Sequence, residues 1–175
     1  MAYQLVNRKR GLIILATNPS FSTLMRSPSL FLAFGFGSGL APKAPGTFGS
    51  LAGLAIWFLL ADLSLPTYLM LVAVSGLCGV FICGTAAKKL GVHDHGGIVW
   101  DEFVGLWIAM AALPVSWTSV ILGFGLFRLF DILKPWPINW IDKNVSGGWG
   151  IMLDDVAAGA AASLTIYMFV SLGWV

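Results

Sequence analysis

Apolar residues run through this chain in long uncharged blocks, with the charges gathered between them. Uncharged stretches cover 44–61, 63–87, 103–127 and 156–175. Each approaches or exceeds the roughly 20 residues needed to cross about 30 Å of hydrocarbon. A shorter block, 27–42, carries Gly35, Gly37 and Gly39. That glycine density disfavours a straight spanning helix, so a re-entrant or interfacial segment is expected there. Leu113-Pro114-Val115-Ser116-Trp117 interrupts the third long block, and Pro114 is a natural breaker. The expected helices are 47–61, 66–87, 98–113, 117–133 and 151–173. The third would be about 24 Å long. The predicted fold is all-α: a polytopic membrane bundle of about five helices in short hairpin pairs.

Composition sharpens this picture. Hydrophobic residues make up 58% and charged residues 10%, against roughly 25% charged in a soluble domain. A small soluble domain has too little interior for so much apolar surface. The net charge of +2 comes without a long basic run, which argues against a nucleic-acid partner. Arg8, Lys9 and Arg10 precede only a brief apolar run that ends before Asn18 and Pro19, unlike a signal peptide. Residues 1–26 are expected to be a basic, weakly ordered extension, and 27–175 a membrane-embedded domain. Cys78 and Cys83 fall inside an apolar block and are expected to be small apolar filler.

The basic residues set the orientation. Lys88 and Lys89 precede the third block; Arg128, Lys134 and Lys143 follow it. A hairpin keeps both groups on the inner side, and a turn at 62–66 then lies outside. Every formal charge except that of Asp62 falls on the inner face, with the N-terminus inside and the C-terminus outside.

The acids collect at the inner helix ends. Asp101 and Glu102 open the third helix, Asp131 lies near the end of the fourth, and Asp154 and Asp155 open the fifth. Helix dipoles alone favour acids at N-termini, and Arg128 with Asp131 is an ordinary i, i+3 pair. Ionisable groups at membrane depth nevertheless mark function. Several carboxylates brought together need protons, basic partners or a cation, and hard oxygen ligands suit Mg²⁺. A second feature is the segment from Gly39 to Ser50. Its glycines, the Thr47 and Ser50 hydroxyls and Lys43 lead into a helix N-terminus, where phosphate can bind. Its spacing is not that of a Walker A loop. His93 and His95 offer a metal ligand or proton donor, or are interfacial loop residues.

Four blocks follow one another along the chain: Gly39-Leu40-x-Pro42-x-Ala44-Pro45-Gly46-Thr47-x-Gly49-Ser50, Ile98-Val99-x-Asp101-Glu102-x-x-Gly105, Phe127-Arg128-x-Phe130-Asp131-x-x-Lys134-Pro135-x-Pro137 and Gly148-x-Gly150-Ile151-Met152-x-Asp154-Asp155-x-x-Ala158-Gly159. Together they resemble the phosphatidylglycerophosphatase A family of bacterial inner membranes. The resemblance implies Mg²⁺-dependent hydrolysis of phosphatidylglycerophosphate to phosphatidylglycerol and phosphate in the cytoplasmic leaflet. It makes 27–175 a catalytic domain. Other phosphatase chemistries find no support. Cys83 meets Lys89, not arginine, at the Cys-x5-Arg spacing; no Asp-x-Asp triplet and no Pro-Ser-Gly-His block occurs. Metal-activated water is the simplest nucleophile. Asp101, Glu102, Asp131, Asp154 and Asp155 are then the expected metal ligands and catalytic acids, with Lys43, Thr47, Ser50, Arg128 and Lys134 against the phosphate. The rival class is a small ion transporter or channel using the same carboxylates. Such proteins place ion sites near the midplane, whereas these helix middles are uncharged.

Overall fold

The computed structural model describes residues 4–8, 11–15, 18–92 and 95–173. Gln4–Arg8 (β1) and Gly11–Leu15 (β2) pair as an antiparallel ladder, Gln4 opposite Leu15 and Arg8 opposite Gly11. This short hairpin lies in the expected basic extension, outside the segment expected to form the helix bundle. The run Leu12-Ile13-Ile14-Leu15 has the side-chain types that favour strands. From residue 18 the described structure is helices and turns.

Phe21–Met25 (α1) starts at Ser20, whose side chain accepts from the Thr23 N–H. Leu24 within it is fully buried. Pro28–Ala33 (α2) follows, then a 3₁₀ turn, Gly35–Leu40, in which Phe36 and Gly37 take positive φ. The glycine-rich block is thus helical only in pieces. Lys89 clamps it to the neighbouring helix end by donating to Ser27 and Ser29 Oγ at 2.8 and 2.9 Å.

Further helices complete the described chain: Pro45–Leu60 (α3), Leu65–Leu90 (α4), Trp100–Ala109 (α5), Trp117–Leu133 (α6), Ile138–Asn144 (α7) and Gly147–Ser171 (α8). Prolines sit in the first turns of α3 and α4, where no hydrogen bond is lost. Gly91 ends α4 in the left-handed region, with Lys88 and Lys89 favourably placed against the dipole. Ser116 caps α6 by accepting from the Ser119 N–H at 3.1 Å. Helix α7 has no counterpart in the sequence-based expectation.

Helix α5 is shorter than expected. Its 10 residues span about 15 Å, because the chain turns at Met110 and Ala112 has φ 60°. Most of its residues are buried. It packs against α3, α4, α6 and α8, and α8 in turn packs against α4, α5, α6 and α7. A helix apolar on all sides belongs at such a centre. Backbones approach closely there: a Cβ at Gly159 would overlap the Gly105 carbonyl oxygen, and one at Gly148 would overlap that of Val80.

Helices α4 and α8 are long and apolar enough to cross a membrane, and only 22% and 33% of their apolar windows is buried inside the protein. Phe81, Leu77, Leu164 and Tyr167 stand exposed along them, as does Ile121 on α6. So much open apolar surface suits a lipid environment better than water.

Candidate functional site

The first turn of α5 brings Glu102 into the interior, where its carboxylate meets α3 and α6. Arg128 on α6 forms a close ion pair with Glu102 Oε2 and a second with Asp131 at 2.9 Å. Ser50 on α3 lies 2.7 Å from the same Glu102 oxygen and 2.9 Å from the Gly46 carbonyl oxygen. Its hydroxyl also accepts from Arg128 Nη1 at 3.3 Å. Gly46 is the cradle for this carboxylate, since a Cβ there would overlap Glu102 Oε1. Three helices are therefore joined through one guanidinium, one carboxylate and one hydroxyl.

A second polar group lies alongside. Lys134, at the end of α6, donates to Asp154 at 2.6 Å and to Asp142 on α7 at 2.7 Å. Burial pushes the Lys134 ammonium pKa down, but the hydrogen bonds and charges of Asp142 and Asp154 outweigh it and hold it above its usual range. Asp155 is buried on α8, within electrostatic reach of Glu102, Asp101, Asp131 and Asp154 and of Arg128. Asp101 Oδ1 accepts from the Glu102 N–H at 3.0 Å. All five acids expected from the sequence thus share one neighbourhood, together with Asp142, which sequence reasoning misses. Its only signal is its place eight residues beyond Lys134.

Acids outnumber the two cations that pair with them, Arg128 and Lys134, among the described residues. Such an excess in a buried place calls for protons or a further cation. The donor set, all carboxylate oxygen, is the kind a hard divalent ion takes. Asp154 Oδ1 is buried without a hydrogen-bond partner, an oxygen free to serve a cation. Among the described residues no three such side chains are already gathered closely enough to clasp an ion. The acids therefore suit magnesium by chemistry and charge, while their side chains are engaged by Arg128, Ser50 and Lys134.

The residues assigned to phosphate are divided. Arg128 and Lys134 lie in the acid cluster. Ser50 is fully buried and belongs to Glu102. Thr47 is half-buried in the first turn of α3, and Lys43 is exposed just before it. His95 is buried; its Nδ1 accepts from the Gly97 N–H at 3.0 Å and its ring lies against Phe34, which makes it a turn-forming residue. His93 lies outside the described residues.

The family model for phosphatidylglycerophosphatase A matches residues 31–170. A phosphatidylglycerophosphatase A of Escherichia coli K12 is 51% identical over 152 residues, covering 86% of this chain and 87% of that protein. One from Haemophilus influenzae is 46% identical over 152 residues, 86% of this chain and 93% of its own. A Bacteroides thetaiotaomicron relative with the provisional name phosphatidylinositol-3-phosphatase is 39% identical over 153 residues, 81% of this chain and 95% of its own. No solved structure matches. The chain belongs to the phosphatidylglycerophosphatase A family.

Proposed function

We propose that this protein removes the terminal phosphate of phosphatidylglycerophosphate, releasing phosphatidylglycerol, from the inner leaflet of a bacterial cytoplasmic membrane. The observation that carries the reading is the Glu102–Arg128–Asp131 centre with Asp154 and Asp155 beside it, in a chain whose relatives bear that activity in their names. The chain crosses the bilayer repeatedly, with α3, α4, the α5–α6 hairpin and α8 as the crossings. The broken 27–42 segment re-enters from the inner side.

Asp131, Asp154 and Asp155, with Asp101 and Glu102 around them, would hold Mg²⁺. Bound there, the ion supplies charge neutralisation at the phosphate and a more acidic water. The protein's own groups do the rest. Arg128 and Lys134 face the phosphoryl oxygens as charge builds on them. One carboxylate takes the proton of the attacking water, the monoester phosphorus–oxygen bond to the headgroup glycerol breaks, and that proton is passed to the leaving glycerol oxygen. Lys43 and Thr47, at the mouth of α3, meet the incoming headgroup. Glu102, held by Ser50, keeps Arg128 in place.

The test is phosphate release in detergent from phosphatidylglycerophosphate and, separately, phosphatidylinositol 3-phosphate, titrated with Mg²⁺ and with chelator. D101N, E102Q, D131N, D154N and D155N should each cut turnover at least a hundredfold, while D62N on the exposed outer turn stays at the wild-type rate. Acids acting only on helix dipoles would cost about 0.3–1 kcal/mol of stability and leave turnover intact. That result in folded variants overturns the reading. Turnover of the inositol lipid alone would move the substrate, not the chemistry.

A further inference from the structure

On the side of α8 away from the Asp154–Lys134 pair, two cavities meet between α4 and α8. One, of about 440 Å³, lies at the inner ends of the helices and is lined by Val80, Thr85, Lys88, Gly147, Gly148 and Trp149 among others. The other, of about 330 Å³, runs deeper along Val72, Gly76, Leu77, Val104, Ile108 and Val156. Val80 and Trp149 line both, so the two are neighbours along the same helix pair. Each falls in the roughly 300–1,000 Å³ range of small-molecule sites.

Their polarity runs in one direction. The deep part is almost wholly apolar, and the shallow part carries a cation. Among the described residues Lys88 is the charged side chain in the lining, and no carboxylate joins it. Lys88 pairs with no described residue, whereas its neighbour Lys89 is held by Ser27 and Ser29. The same inner cavity opens on the start of the 25-residue α8, the positive end of a long helix dipole. An apolar slot at mid-depth under a positive rim at the inner surface matches an inner-leaflet phospholipid in shape, charge and orientation.

We infer that this groove binds an anionic glycerophospholipid as a non-reacting ligand, one acyl chain along α4 and α8 and the phosphodiester at Lys88. The acid cluster lies on other faces of α8: Asp154 is drawn to Lys134, and Asp155 is buried toward α5 and α6. The occupant is therefore a second lipid rather than the substrate under attack. The site depends on membrane embedding and not on the phosphatase reading, so its test uses no turnover.

Trp149 is half exposed at the junction of the two cavities, which makes it the reporter. The protein is placed in nanodiscs of zwitterionic lipid, and brominated-chain phosphatidylglycerol or brominated phosphatidylcholine is titrated in. Trp149 quenching is the difference between wild type and W149F. The anionic lipid should quench saturably at low mole fraction, and the zwitterionic one only in proportion to its amount. K88Q should raise the half-quenching fraction of the anionic lipid by about tenfold, the scale of one lost charged contact. G76L should abolish saturable quenching by filling the slot; a Cβ at Gly76 meets Val104 at an ordinary 3.6 Å, and the rest of the side chain has the cavity to extend into. Equal quenching by both lipids, or an anionic preference unchanged in K88Q, overturns the inference. So does quenching insensitive to lipid in particles whose mass shows two copies seated groove to groove.

Discussion

Arg128 holds the centre of the site through a single nitrogen of its guanidinium. One end of its guanidinium reaches Glu102, Asp131 and Ser50. A lysine keeps the charge but carries it on a compact, strongly hydrated ammonium at the end of a different stem, so its nitrogen does not take the place of Nη1. R128K should lower kcat by about a hundredfold or more, the scale of losing one electrostatic contact to the reacting group, with phosphate release as the readout. R128A should also lose about 3–5 kcal/mol of stability, because Glu102 is left buried without its partner; thermal unfolding in detergent measures it. Gly46 gives a sharper test. G46A adds one methyl group where Glu102 Oε1 lies, so the carboxylate must move. A displacement of about 1 Å costs on the order of a hundredfold in rate, and a G46A enzyme at the wild-type rate would remove Glu102 from the site. The acids and Arg128 are legible in the sequence because charges are rare in it and each one stands out. Ser50 reads toward phosphate, since a hydroxyl at a helix start suits an anion; its true partner, 52 positions away on α5, cannot be seen from local spacing. Asp142 escapes notice for a related reason, because its pairing with Lys134 depends on α7 folding back.

At the scale of elements, hydrophobic blocks locate the long helices well and their lengths less well. The helices expected from them match α3, α4, α6 and α8 to within four residues at each end, since burial in lipid or in the core requires the same side chains. They overstate the extent of α5, because the sequence stays apolar past the end of the helix. Met110, Ala111 and Ala112 continue the run through a backbone turn at Ala112. The brevity of α5 matters. A ten-residue helix turns back within about 15 Å, and its first turn holds Asp101 and Glu102 at the level where α3 and α8 begin. The α5–α8 crossing sets this level through Gly105 and Gly159, whose backbones meet without intervening side chains. G159V should force the two helices apart. Overpacking of this kind costs about 1–3 kcal/mol or more, seen as a lower unfolding temperature. Activity should fall further than the stability loss explains, because Asp155 and Glu102 separate with the helices. A G159V protein with lowered stability but a wild-type rate at low temperature would show that the crossing does not set the site.

The whole molecule has two unlike ends, and its contacts can be compared with the charge pattern. At one end, the starts of α3, α5 and α8 and the end of α6 meet through Ser50, Glu102, Asp155 and Arg128, and Lys89 at the end of α4 holds Ser27 and Ser29. At the other, the turn after α3 and the turn after α5 come together, with Ala61, Leu63, Ala112 and Leu113 around a small cavity of about 60 Å³. A chain that crossed only once between Lys89 and Arg128 would separate those basic groups. Here Glu102 and Arg128 touch, so the chain doubles back between them, as the proposed α5–α6 hairpin requires. Helices α4 and α8, with 26 and 25 residues, are about 39 and 38 Å long, enough to span hydrocarbon with a tilt. Reporters fused at Asp62 and Ser116 should therefore appear outside, and those at Lys89 and Asn144 inside, the side that retains Lys and Arg. A fusion that is active only in the cytoplasm and another active only outside it, compared at each position, read this directly. Lys89 and Asn144 on opposite faces would place the two halves of the polar end on different sides of the bilayer, which the Glu102–Arg128 and Lys134–Asp154 pairs forbid for a folded chain, and the membrane arrangement proposed here would fail with them.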